Sequence, residues 1–331
     1  MQIIDYIALE KNALYFKKKL GNSKLCAVLK NNAYGHGLTH VARHLADIVD
    51  YFAVGNVDEA EQVQFLRKDT LILLPQNERN TERAVKLDCI LTVDSLQTLA
   101  LVDRVAQRLR RIARVHVKFD SGMSRLGFSK SEIGQLLSKL QYAHVSVEGI
   151  FSHFYGETVA ECDKQLMYFN TCCYEFEKSY KKQLTCHIAN TSATLLSPKY
   201  HLDMARIGLG LYGYGSEFLQ PVKSVFADVI AVKEVVAGSV VGYGAKYTCD
   251  KATQIAVLNV GYAIGLARTL VGAKIKIGEK YFPIVAICMA MTLVDAGDAN
   301  VNVGDVATLL SNEVNISNDE VIIYELLCNL Q

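Results

Sequence analysis

The stretch "AVLKNNAYGHG", residues 27–37, ends an apolar run on Lys30 and follows it with Tyr34, two glycines and a histidine. A lysine at the end of a strand can capture an aldehyde as a Schiff base once burial or positive neighbours lower its pKa. Gly35 and Gly37 let backbone approach a ligand closely. Further chemistry-bearing side chains recur downstream. Lys118 and Arg125 stand in "VHVKFDSGMSRLGF", His153 closes "VEGIFSH", His187 and Asn190 lie in "HIANTSAT", Arg206 opens "RIGLGLYG", and Tyr243 sits between glycines in "SVVGYGAKYT". An amine that captures an aldehyde, a backbone cradle for phosphate and a partner for a ring nitrogen are the parts that pyridoxal phosphate requires.

Something must hold these residues together. Short apolar, β-branched runs recur at 25–30, 51–55, 71–74, 89–93, 114–120, 147–153, 184–190 and 205–213. Segments of helical periodicity such as "VDEAEQVQFLRK" and "KSEIGQLLSKLQ" separate most of them. Strand alternating with helix implies parallel pairing through crossover helices, and eight strands in this rhythm predict an α/β fold, a (β/α)8 TIM-like barrel. A doubly wound open sheet is the competing arrangement. Lys30, Lys118, His153 and Asn190 all fall at or near the C-terminal ends of runs, the face of a barrel where active sites sit. After about Pro221 the texture changes to strands and glycine turns with little helix, which predicts a mainly antiparallel β domain. The expected division is 1–9 as a strand packing with the β domain, 10–217 as the barrel and 218–331 as the β domain.

The chain has 331 residues, half of them apolar, enough for a sizeable core. Lys plus Arg number 35 against 34 Asp plus Glu, so bulk charge gives no case for nucleic acid or an anionic membrane. Nine scattered cysteines, with an adjacent Cys172–Cys173 pair that has no metal spacing, read as reduced thiols and no metal site. "MQIIDYIALEK" lacks the apolar core of a signal peptide, and no run is long enough to span a bilayer, so a cytoplasmic location is expected.

The lysine stretch resembles the cofactor signature of the alanine racemase family, with Asn31 where an alanine usually follows the lysine. "VHVKFDSGMSRLGF", "GIFSHF", "HIANTSAT", "ARIGLGLYG", "SVVGYGAKYT", "GYAIGLAR", "ICMAM" and "IIYELL" follow in the family's order. The resemblance implies a pyridoxal phosphate enzyme that interconverts L- and D-alanine with two bases, supplying D-alanine for peptidoglycan. Lys30 would carry the cofactor and serve the D-enantiomer, and Tyr243 from the partner subunit of a homodimer would serve the L-enantiomer. Tyr34, Asn190, Thr191, Gly208, Leu209 and Tyr324 would bind the cofactor, mainly at its phosphate, and Arg206 would face the pyridine nitrogen. Arg125 would meet the phenolic oxygen and the substrate carboxylate, oriented by Lys118, which many family members carry as a carbamate. His153 would pack on the cofactor, His187 would link Tyr34 with Arg206, and Tyr262 and Met289 would line the substrate pocket from the partner.

Arginine holds its proton at any working pH, so a ring nitrogen facing Arg206 stays unprotonated and the ring is a weak electron sink. Such a sink disfavours long-lived carbanions, which suits prompt return of the proton. Tyrosine at its ordinary pKa of about 10 costs roughly 4 kcal/mol to ionise at pH 7, so Tyr243 needs cationic neighbours to act as a base. Ile264 and Ala290 stand where the family usually has aspartates, Leu266 where it often has an aromatic, and the basic, aromatic tail common after Tyr324 is absent. These departures predict a more apolar mouth and point to an altered substrate range, serine included, as the alternative activity. A decarboxylase of the same architecture would place a carboxylate on the ring nitrogen. A non-catalytic cofactor carrier would have no use for the β domain.

Overall fold

A computed structural model describes residues 1–141 and 143–330. It forms two compact units, one of 7–33 and 37–220, the other of 1–6, 34–36 and 221–331.

After β1 (Gln2–Ile4), the first unit carries β2 (Lys24–Val28), β3 (Tyr51–Val54), β4 (Thr70–Ile72), β5 (Ile90–Val93), β6 (Ala113–Lys118), β7 (Val145–Phe151), β8 (Thr185–His187) and β9 (Met204–Ile207). All pair in parallel, in the order β8-β7-β6-β5-β4-β3-β2-β9. The ring closes where the Asp203 and Arg206 amides donate to the carbonyls of Cys186 and Ala189 at 3.1 and 3.0 Å. This is the eight-stranded barrel. Crossover helices begin where the sequence supplies caps: Asn56, Asn77, Ser95 and Thr158 each accept a hydrogen bond from the amide three residues on. All of these strands but β7 are shorter than the apolar runs that predicted them, and the missing residues lie mostly at the C-terminal ends. There the chain stays buried while leaving the ladder, as at Ile188, Ala189 and Leu211.

The second unit is antiparallel. β1 pairs with β10 (Lys223–Val235), Gln2 opposite Val225. A small hairpin follows, β11 (Val240–Val241) with β12 (Tyr247–Thr248). Then come β13 (Thr253–Leu258), β14 (Lys274–Ile277), β15 (Lys280–Ile287), β16 (Thr292–Gly297) and β17 (Val306–Leu310). The main sheet runs β1-β10-β13-β16-β15-β14-β17, and a further pairing brings β17 back against β10. A closing helix spans Ile323–Asn329.

Candidate active site

Where sequence predicts a glycine-softened loop after β2, the chain winds one turn of left-handed helix over Lys30–Gly35. Asn31, Asn32, Ala33 and Tyr34 take φ of 54°, 52°, 54° and 54°, ahead of Gly35 at 74°. L-residues resist this hand because Cβ crowds the next carbonyl, at a cost of about 1–2 kcal/mol each, less for asparagine. The turn persists because its polar groups are held. Ala33 donates to the Leu29 carbonyl at 2.8 Å, and the Asn32 side chain accepts from Leu38 at 2.8 Å. The buried carboxylate of Glu59 accepts from the Asn32 amide at 3.1 Å and the Gly55 amide at 2.8 Å. Sequence reading did not single out Glu59. The turn sets the direction in which half-buried Lys30 leaves the barrel strand.

Inside the barrel, Arg206 on β9 is 4% exposed and has no carboxylate partner among the described residues. Its Nη1 donates to His187 Nδ1 at 2.6 Å. Its Nη2 donates to the Ser152 carbonyl at 2.6 Å, the Ile188 carbonyl at 3.2 Å and His153 Nδ1 at 3.2 Å. A guanidinium only donates, so both histidines present a bare Nδ1 and keep their proton on Nε2. His187 Nε2 then donates to His116 Nδ1 at 2.9 Å. Both ring nitrogens of His187 are taken, by Arg206 and His116. His116 went unremarked in the sequence, although it alternates with Lys118 on β6 and so shares its face.

Burial, then cations, keep these rings neutral. Burial, Arg114, Arg206 and Lys24 lower His116 to about 3, and burial and Arg206 carry His187 well below its ordinary value. His153 falls to about 3 through burial, then Arg206, Lys118, Arg125 and Lys30, so four predicted site cations converge on one imidazole. Burial brings Arg206 down to about 10, still fully protonated at neutral pH. Arg206 Nε–H alone makes no hydrogen bond with any described residue, which leaves one fixed donor for a bare ring nitrogen.

Lys118 is buried, and burial, Arg206 and Arg125 lower it to about 8. No carboxylate among the described residues pairs with it. Its ammonium and the Arg206 guanidinium lie 5.4 and 5.3 Å from the Phe151 ring centre, and that ring stacks on His187. Arg125 is exposed on a loop pinned by Asp120, whose Oδ1 accepts from the amides of Gly122 and Ser124 at 2.8 and 3.2 Å.

The residues expected at the phosphate form a second corner of the barrel. Asn190 caps the short helix Thr191–Leu196 through its side chain, which accepts from Ala193. Thr191 Oγ1 accepts from Gly210 at 3.1 Å and ties that helix to the turn Leu209–Tyr212. A Cβ at Gly210 would lie 2.5 Å from Phe16, so only glycine allows the approach. The amides of Thr191, Ser192, Gly208 and Leu209 find no acceptor among the described residues. Four open N–H groups suit an anion with several oxygens.

In the β unit, Tyr34 and Tyr324 meet with ring centres 6.1 Å apart. Tyr34 is buried, and burial, Tyr324 and Cys328 push its phenol well above the ordinary range, so it stays neutral at working pH. Tyr243 is 83% exposed in a short turn between Gly242 and Gly244 at φ 79° and 74°. It shares an open groove of about 540 Å³ with Tyr262, Lys246 and Arg268. Tyr262 and Ala263 donate to the carbonyls of Cys288 and Met289 at 3.0 and 2.9 Å, a contact so close that a Cβ at Gly261 would lie 2.3 Å from the Cys288 oxygen. Met289 is 62% exposed, and Ile264 and Ala290 are also exposed. Leu266, by contrast, is fully buried, because Gly265 at φ 93° turns the chain inward.

The family model described as the N-terminal domain of alanine racemase matches residues 4–216, and that of its C-terminal domain matches residues 222–331. The chain belongs to the alanine racemase family. Alanine racemase 1 of Oceanobacillus iheyensis is 33% identical over 326 residues, covering 92% of this chain and 87% of that protein. The alanine racemase of Methylacidiphilum infernorum is 32% identical, covering 99% and 89%. Among solved structures, the alanine racemase of Clostridium difficile 630 superposes with a TM-score of 0.90 at 30% identity, covering 100% of this chain and 93% of that one. The alanine racemase of Bacillus anthracis with bound L-Ala-P gives 0.90 at 26%, covering 100% and 92%. As in these relatives, alanine racemisation is the activity the chain carries.

Proposed function

We propose that the chain works with pyridoxal phosphate as one of two identical subunits that share each active site, using Lys30 and the partner subunit's Tyr243 as opposed bases. The observation that carries this reading is the Arg206 guanidinium: buried, neutralised by no carboxylate, and with Nε–H still unengaged. The open amides of Thr191, Ser192, Gly208 and Leu209 fit the phosphate of the same group.

When bound, the cofactor supplies an aldehyde that captures amines and a conjugated ring that spreads the electrons left behind when an α-proton departs. The protein's part is positioning and proton movement. Arg206 offers Nε–H as a hydrogen bond but never as a transferable proton, so the ring nitrogen stays bare. Its backing by His187 and His116 fixes the plane of the fork. The cradle amides, with the hydroxyls of Tyr34 and Tyr324, hold the phosphate. Arg125 pairs with the substrate carboxylate, and Lys118 as a carbamate neutralises and orients that arginine. Lys30 Nζ exchanges the α-proton on one face and the partner subunit's Tyr243 Oη on the other. Tyr262 and Met289 of the same partner narrow the space beside the substrate's methyl group.

The peptidoglycan role and a cytoplasmic location accompany this reading. No helix among the described residues is long and apolar enough to cross a membrane. Exposed Ile264 and Ala290 favour a second reading in which the enzyme also accepts bulkier amino acids. Racemisation of L-alanine followed by chiral detection, with and without added cofactor, tests the first reading. D-alanine forming only with cofactor supports it, and cofactor-independent turnover overturns it. Equal rates on alanine, serine and lysine would favour the broader range.

A further inference from the structure

Lys223, the first residue of β10, is fully buried in the β unit and belongs to none of the motifs read above. Its ammonium donates to the carbonyls of Gly35 at 3.2 Å and Leu327 at 3.0 Å, and closely to that of Leu330. An ammonium has three protons, and here three carbonyls receive them. The acceptors come from two separate parts of the chain. Gly35 directly follows Tyr34, while Leu327 lies one helical turn beyond Tyr324 and Leu330 just past the helix end. A lysine at a helix C-terminus also meets the negative end of its dipole.

The packing around this hub is tight. A Cβ at Gly35 would lie 2.3 Å from the Leu327 oxygen and 3.3 Å from Lys223 Nζ, and one at Gly265 would lie 2.1 Å from the Asn329 oxygen. The terminal helix thus rests its backbone directly on the residue after Tyr34. Burial lowers the amine to about 8, offset in part by Cys328, which leaves it mainly charged at neutral pH.

We propose that Lys223 is a positioning residue for phosphate binding: by joining Gly35 to the end of the terminal helix, it sets the separation of the Tyr34 and Tyr324 hydroxyls. This rests on the reading above in which those two tyrosines hold the phosphate. Lys223 never touches the ligand. It joins two segments of the chain through a three-way charged hydrogen bond.

The test compares pyridoxal phosphate with pyridoxal, which lacks the phosphate, by equilibrium titration of cofactor-free enzyme. Lys223→Met is expected to weaken pyridoxal phosphate by roughly tenfold or more while leaving pyridoxal within about twofold. The double variant with Tyr34→Phe should lose no more than Tyr34→Phe alone, because one effect acts through the other. Thermal unfolding of each variant, and Lys223→Arg as a charge-retaining second variant, separate misfolding from mispositioning. If Lys223→Met lowers the unfolding temperature but both ligands bind as before, or weaken equally, the role is structural and the proposal is overturned. If Tyr34→Phe and Tyr324→Phe leave pyridoxal phosphate affinity unchanged, the phosphate reading itself fails and takes the proposal with it.

Discussion

Replacing Glu59 with alanine should loosen the turn that carries Lys30. Held left-handed, Ala33 and Tyr34 together cost about 2–4 kcal/mol, and Asn31 and Asn32 add less. Glu59 offsets much of that through two hydrogen bonds from its carboxylate to the amides of Asn32 and Gly55. Hydrogen bonds to a charged group contribute about 1.5–3 kcal/mol each, so alanine removes about 3–6 kcal/mol, comparable with the strain. Glu59→Gln keeps one good acceptor and should lose about half as much. The alanine variant should therefore bind pyridoxal phosphate more weakly, unfold at lower urea, and become open to trypsin after Lys30. Ala33→Gly should partly rescue it, because glycine takes φ 54° freely. Urea titration, cofactor titration and limited proteolysis read the three effects. An alanine variant that matches the parent in all three would refute the view that Glu59 holds the turn.

Arg206→Glu pairs the ring nitrogen with a carboxylate that stabilises its protonated form and makes the ring a stronger electron sink, so racemisation should fall by roughly a hundredfold or more while keto-acid side product rises, both followed by chromatography of products. The Lys118 amine, lowered to about 8, reacts with carbon dioxide as the neutral base, so carbamate and activity should rise with bicarbonate and fall as pH drops below 8. Lys118→Ala should be insensitive to bicarbonate, and a parent equally insensitive would count against the modification. His116 and His187 have folded pKa values depressed below the unfolded value of about 6.5, so their neutral forms support the fold above that pH and the support is lost as pH falls. His116 should remove about 2 kcal/mol between pH 7 and pH 5, with His187 acting in the same direction, seen as a drop in urea midpoint that shrinks in His116→Gln.

The eight barrel strands were readable because short β-branched runs alternated with capped, helix-periodic segments. Their ends were less readable, and the site lives at the ends. Leu29, Ile188 and Ala189 are buried like strand residues yet lie beyond the ladders. The left-handed turn had only a weak signal in the Asn31–Asn32 pair, since asparagine tolerates that hand, while Ala33 and Tyr34 argue against it. What holds it is Glu59, on the helix after β3, a tertiary partner that local propensity does not reveal. His116 was visible in the alternation of "RVHVK" but not in any single-residue reading. Leu266 was expected at the mouth because of its neighbours in sequence, and the fold turned it inward at Gly265.

The most direct test of the shared, two-base site is subunit complementation. Lys30→Ala and Tyr243→Phe chains are each expected to be inactive as homodimers. Co-expressed with different tags and purified as the mixed dimer, they pair an intact Lys30 with the partner subunit's intact Tyr243 at one of the two sites. A shared site predicts about half the parent's racemisation per dimer. A mixed dimer as inactive as its parents would contradict it and return Tyr243 to the site of its own chain.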